Sequence, residues 1–167
     1  MGGKAVMTVT KLIPDRVEKM VVIDVAPVDY QERRHEDILA ALKAVEASGI
    51  TDRREAAELM KEYISEGDFV IQFLLKSFRN GAFRFNVPVI DKQYEEVSGW
   101  KTIPTWPGKV LFIIGGDSNY VQKEYQAEVE AQLPNATAVI IAGAGHWVHA
   151  QKTDLVVKAI LTFLDRA

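Results

Sequence analysis

The residues best suited to chemistry lie near the end of the chain, in Ala142-Gly143-Ala144-Gly145-His146-Trp147-Val148-His149. An apolar run, Ala136-Thr137-Ala138-Val139-Ile140-Ile141, precedes them and reads as a buried strand. Residues Asp154 to Leu164 follow with helical periodicity. The glycines release the backbone from the strand and permit a sharp turn. His146 then stands at the carboxyl end of a strand in an α/β pattern, where such folds hold their ligands. Imidazole ordinarily titrates near pH ~6.5, so a histidine there can act as a general base. The same spacing fits a loop histidine with no chemistry equally well.

Bulk properties narrow the functional classes. The chain has 167 residues, enough for one domain with a sizeable core. Its net charge is −3, and neither sign forms a long block. That balance points to no nucleic acid and no membrane partner. The sequence has no cysteine, which removes disulfide and thiolate chemistry and fits a reducing compartment. No apolar run approaches the ~20 residues that span a bilayer, and the first residues lack the apolar core of a signal peptide. A cytoplasmic protein is expected. There is no metal-ligand cluster and no phosphate-binding glycine loop, so no metal and no cofactor are expected.

The elements that must position His146 alternate along the chain. Gly2 to Leu12 reads as a helix that begins at once, with small residues that let it approach a sheet closely. Pro14-Asp15-Arg16 is a turn. Met20 to Ala26 is a short apolar run with one acid, Asp24, and its lack of alternation suggests a strand buried on both faces. From Asp29 to about Asn80 charge is dense and apolar residues follow helical spacing. Three helices are expected there, broken near Ser48-Gly49 and Glu66-Gly67, the second capped by Thr51 or Asp52. Asn80-Gly81 is a turn, Ala82 to Pro88 alternates as an extended segment, and Val89 to Val97 reads as a helix. A second apolar strand runs from Lys109 to Ile114, and Gly115-Gly116-Asp117-Ser118-Asn119 is the turn that follows it. Val121 to Leu133 is an amphipathic helix ended by Pro134-Asn135. This alternation implies a parallel sheet with right-handed crossovers.

At the residues Met1-Gly2-Gly3-Lys4-Ala5-Val6-Met7, Val22-Ile23-Asp24-Val25-Ala26-Pro27-Val28-Asp29-Tyr30, Gln72 to Phe78, Phe85-Asn86-Val87-Pro88 and Ala142 to His149, the sequence resembles the carboxyl-terminal half of an α/β-hydrolase. The resemblance runs along the whole chain and is strongest to small bacterial esterases of the YbfF type. It implies a partial α/β-hydrolase fold: an α/β architecture of about three parallel strands with flanking helices and a helical cap. The expected segments are 1–29, the first helix and strand of the core; 30–98, the helical cap and return helix; and 99–167, the remaining core carrying the histidine. In that family a nucleophilic serine sits in a G-x-S-x-G turn and is followed by Met-Gly-Gly-Lys. The expected nucleophile is therefore the residue just before Met1, and the chain as given is expected to lack triad catalysis.

The resemblance implies a carboxylic-ester hydrolase lineage working through an acyl-serine, with a small-molecule ester as substrate. His146 becomes the catalytic histidine. Asp24, at the end of the preceding strand, becomes the acid that fixes the imidazole tautomer; a cap or turn role is the alternative. Asp117 is the second candidate acid, because Ser118 occupies the slot where many hydrolases of this fold carry it. Met1 would give its backbone N–H to the oxyanion hole in a full-length protein. Trp147 either walls an acyl pocket or packs structurally. Phe73 and Phe78, with Leu74 and Phe83, either face an apolar cleft or pack within their own helices. Arg33-Arg34-His35 reads as a solvated helix face more readily than as an anion site, and His149 as structural or exposed. Rival readings are a non-catalytic half-domain that pairs with an amino-terminal fragment or forms a homo-oligomer through an exposed edge of the first strand, or another hydrolase of the fold: a thioesterase, epoxide hydrolase or dehalogenase.

Overall fold

A computed structural model describes residues 1–165. Arg166 and Ala167, with which the expected third segment ends, lie outside the described residues. The chain divides into two units, one of Met1–Tyr30 with the residues from Trp100 onward, the other of Gln31–Gly99.

The first unit starts with α1 (Gly2–Leu12) and a single 3-10 turn at Pro14–Arg16. A Cβ added at Gly3 would lie 2.2 Å from Val25 Cγ1 and 3.2 Å from Val22 Cγ1. Glycine there brings α1 against the strand β1 (Lys19–Ile23), as the small residues imply. That strand stops at Ile23 and does not run on to Ala26, because Asp24 turns into the left-handed region at φ 48°. Met20 and Val22 are buried, whereas Val21 and Ile23 are half-buried, so β1 alternates where burial on both faces was expected.

The second unit holds α2 (Glu36–Ser48), α3 (Arg53–Lys61) and α4 (Asp68–Leu75). They break where glycine takes positive φ, at Gly49 (71°) and Gly67 (100°). The Asp52 carboxylate caps α3 by accepting from the N–H groups of Arg54 and Glu55. A short hairpin, β2 (Phe78–Arg79) and β3 (Ala82–Phe83), turns through Asn80 and Gly81. The extended segment expected to reach Pro88 ends early. Asn86 caps a helix through its side chain, and Pro88 fits the first turn of α5 (Val87–Lys92). The helix expected over Val89 to Val97 is two, α5 and α6 (Tyr94–Ser98), separated at Gln93.

The chain returns to the first unit at Trp100, and its elements there are β4 (Lys109–Gly115), α7 (Gln126–Gln132), β5 (Ala136–Ile141), α8 (Val148–Gln151) and α9 (Thr153–Asp165). The helix expected from Val121 is shorter, since Lys123–Tyr125 forms a 3-10 turn before it. The sheet has the order β1-β4-β5 with both pairs parallel, so the fold class is α/β with helices flanking a three-stranded parallel sheet. Central β4 is covered on both faces. Val110 and Phe112 join Met7, Met20, Val22 and Leu133 on one side. Leu111 and Ile113 join Ile141, Val148 and Val156 on the other. Burying each such side chain contributes roughly 1.5–3 kcal/mol. β5 departs from the buried strand expected of it: Thr137 to Ile140 are exposed. It is an edge strand, and a continuous apolar run does not report how many of its faces are covered.

Candidate active site

Two loops at the carboxyl ends of the parallel strands meet, as this class of sheet favours. After β1 the chain turns at Asp24, whose own N–H donates to the Ile113 carbonyl on β4 at 2.8 Å. An aspartate tolerates positive φ better than most residues, and the turn points its carboxylate inward with no exposure to solvent. After β5 the chain turns at Gly143 (φ 66°) and delivers His146. Of the glycines there, only Gly143 takes a left-handed φ; Gly145 instead donates its N–H to Gln151 Oε1 at 2.8 Å.

The His146 Nδ1–H donates to Asp24 Oδ2 at 2.7 Å. Because a carboxylate only accepts, the imidazole proton lies on Nδ1 in the neutral ring and Nε2 keeps a free lone pair. Two further donors fix the carboxylate. The Gly115 N–H reaches Oδ1 at 3.0 Å, and the Ser118 hydroxyl reaches Oδ2 at 2.5 Å. Three converging donors offset the cost of burying a charge. The His146 side chain is 42% exposed, so its outer edge can meet a reactant. The arrangement can therefore take up a proton at Nε2 and stabilise the resulting imidazolium from the opposite edge.

The other candidates are placed as follows. Asp117 is exposed, and its backbone N–H donates to the Ala144 carbonyl at 2.9 Å. The carboxylate on the imidazole is that of Asp24. Trp147 is half-buried, its ring edge-on to that of His146 with centroids 6.4 Å apart. Exposed His149 lies 5.9 Å from the Trp147 ring. Met1 precedes α1, and its carbonyl accepts from the Ala5 N–H at 3.1 Å. In the second unit Phe73 is exposed on α4, whereas Phe78 is buried against Phe83 with ring centroids 5.2 Å apart. Arg33 is engaged by Glu36, Asp91 and Glu95. The hydrogen bonds it donates to Glu95 and then to Glu36 raise its pKa, and those carboxylates occupy the charge an external anion would need. Among the described residues no cluster of histidine and acidic groups could hold a metal ion, and no helix is long and apolar enough to cross a membrane.

Ser118 and Tyr120 are the site residues that sequence reasoning missed. Ser118 stood in the slot for an acid, and a hydroxyl there, facing an acid on the preceding strand, was the available signal. Tyr120, which stacks on His146 with centroids 3.9 Å apart, carried no such signal.

No family model matches the sequence. The chain is 53% identical over 165 residues to Esterase YbfF of Escherichia coli, covering 99% of this chain and 65% of that protein. It is 34% identical over 177 residues to the sn-1-specific diacylglycerol lipase ABHD11 of Xenopus laevis, covering 100% of this chain and 56% of that protein. A solved structure of a marine microorganism esterase matches with a TM-score of 0.88 at 31% identity, covering 96% of this chain and 66% of that one. The chain thus spans less than two thirds of the length of the curated relatives it matches.

Proposed function

We propose, for a chain that belongs to the α/β-hydrolase superfamily and is closely related to YbfF-type esterases, that His146 and Asp24 are two members of a serine-esterase triad. The observation that carries this reading is the 2.7 Å hydrogen bond between the imidazole Nδ1 and the fully buried Asp24 carboxylate. In the proposed mechanism the nucleophile is a serine immediately preceding Met1. His146 Nε2 accepts its proton as the hydroxyl oxygen attacks the carbonyl carbon of a carboxylic ester. The imidazolium, stabilised by Asp24, then protonates the departing alkoxide, leaving an acyl-serine. Water attacks that acyl group with His146 again as base, and the acid is released. The Met1 backbone N–H is a proposed oxyanion donor; loss of one such donor costs ~100-fold or more. The names of the relatives, an esterase and a diacylglycerol lipase, support carboxylic esters as the substrate class. Trp147, beside the imidazole, is the proposed border of the acyl group.

The test is hydrolysis of a short-chain p-nitrophenyl ester by this chain, beside a version extended upstream through Gly-x-Ser, with circular dichroism on both. Turnover confined to the extended form, and lost with His146→Ala, is the expected result. Turnover by the chain as given that also requires His146 would overturn the assignment of the nucleophile. A second reading, a non-catalytic half-domain that pairs with an amino-terminal fragment, draws on the exposed apolar residues Leu12 and Ile140. It is favoured if the extended form folds and stays inactive.

A further inference from the structure

The hydrogen bond to Asp24 fixes one edge of the imidazole but not its plane. With Nδ1 tethered, the ring can still rock about the line joining Cβ to that nitrogen, and Nε2 sweeps an arc. A second contact removes this freedom. The Tyr120 ring lies over the His146 ring with centroids 3.9 Å apart and an interplanar angle of 21°. Stacking at that distance closes one face of the imidazole and leaves proton transfer to the in-plane Nε2.

Tyr120 is itself braced. The Tyr30 hydroxyl donates to the Tyr120 carbonyl at 2.7 Å and accepts from the Ala26 N–H at 2.8 Å. Its ring meets that of Tyr120 edge-on, with centroids 5.5 Å apart. Lys4 packs over the Tyr30 ring. Its buried ammonium lies 4.4 Å from the ring centroid and donates to the Val28 carbonyl at 2.7 Å. Ala26 is two residues beyond Asp24. A single hydroxyl therefore ties the backbone beside the imidazole's edge partner to the backbone of its face partner.

We infer that Tyr120 is a positioning residue for His146, and that the Tyr30 hydroxyl holds Tyr120 in place. The inference rests on the reading of His146 as the base. Stacking of this kind shifts a conformational equilibrium by up to roughly tenfold, and misplacement of a catalytic group lowers the rate of the chemical step more than substrate binding.

Proton NMR of this chain supplies a test that needs no catalysis. In the unsubstituted protein the imidazole C–H resonances of His146 are shifted upfield by the Tyr120 ring current, and the Nδ1–H bonded to Asp24 appears as a sharp downfield signal. Tyr120→Phe keeps both signatures. Tyr120→Leu loses the upfield shift and broadens the Nδ1–H signal through exchange, and Tyr30→Phe broadens it partially. An Nδ1–H signal as sharp in Tyr120→Leu as in the unsubstituted chain overturns the proposal. Should Tyr120→Leu not fold, Tyr30→Phe, which removes one oxygen, decides it: an unchanged Nδ1–H signal there overturns the proposal too. In the extended protein, Tyr120→Leu lowers kcat about tenfold with KM within about twofold, and Tyr120→Phe restores it; an unchanged kcat for Tyr120→Leu overturns the role. An extended protein with no esterase activity would defeat the esterase reading while the NMR signatures still decide the positioning.

Discussion

A carboxylate that accepts three hydrogen bonds cannot become an amide without reversing at least one of them. At Asp24 the donors are the Gly115 N–H, the Ser118 hydroxyl and His146 Nδ1–H. An asparagine oxygen turned toward Gly115 leaves its NH2 facing Ser118 and Nδ1. Serine can rotate its hydroxyl and accept, but the imidazole must move its proton to Nε2, where the lone pair is needed. Asp24→Asn in the extended protein is therefore expected to lower kcat by up to about 10⁴-fold, the scale seen when a triad carboxylate becomes an amide in serine proteases. The fold should lose only ~1–3 kcal/mol, the cost of a mismatched buried hydrogen bond. Ester turnover and urea unfolding of the same variant separate the two effects, and retention of most of the rate would remove Asp24 from the mechanism. His146 was legible as a candidate because glycines after an apolar run mark a strand end. Its pairing with Asp24 followed from the family resemblance and not from local pattern, since 122 residues separate the two and only the parallel register of β1, β4 and β5 joins their loops.

The elements hold these residues through two close approaches that leave no room for a methyl group. At Gly115, an added Cβ would lie 2.2 Å from the Gly145 carbonyl oxygen and 2.7 Å from that of Ala144. Both are backbone atoms of the histidine loop and cannot swing aside as a side-chain tip could. Gly115→Ala is expected to cost ~1–3 kcal/mol by overpacking and to displace His146, which urea unfolding and ester turnover would report together. A pH effect belongs to α3. Hydrogen bonds from the Glu55 and Arg54 N–H groups hold the Asp52 carboxyl below its ordinary 3.8. Its contribution is thus complete above that value and is lost as pH falls through the depressed one. Asp52→Asn, which caps without titrating there, should flatten the acid limb of the melting curve recorded between about pH 5 and 2; an unchanged limb would assign it to other carboxylates. Glycine breaks and the cap residue were readable from local chemistry. The four-residue α8 was not, because it is too short to show a period, and Val121 to Tyr125 had the apolar spacing of a helix without becoming one.

Across the first unit, the apolar surface left open has a pattern. Leu12 on α1, Ile140 on β5, and Leu155, Leu161 and Leu164 on α9 are each about half exposed or more. The sheet ends in β1 on one side and β5 on the other. Sequence reasoning placed an exposed edge at β1, and β1 is one of the sheet's two end strands; its Val21 and Ile23 are half-buried against the α9 side of the sheet, and the more open apolar side chains belong to the other end strand, β5. An apolar run announces a strand but not which neighbours cover it, and this chain spans less than two thirds of the relatives it matches. An edge strand with unpaired backbone groups and apolar side chains is a template for pairing with another chain. Ile140, at 69% exposure, is the position where a charge would oppose that pairing at least cost to the fold. The chain is expected to self-associate with rising concentration in sedimentation velocity. Ile140→Lys should weaken that association by about tenfold, the equivalent of ~1.4 kcal/mol and less than full burial of an isoleucine side chain contributes. Thermal stability should be unchanged, because a side chain open to solvent gives up little packing. If the variant associates as strongly as the unsubstituted chain, the contact lies elsewhere, and Leu161→Glu on α9 becomes the substitution that must weaken it.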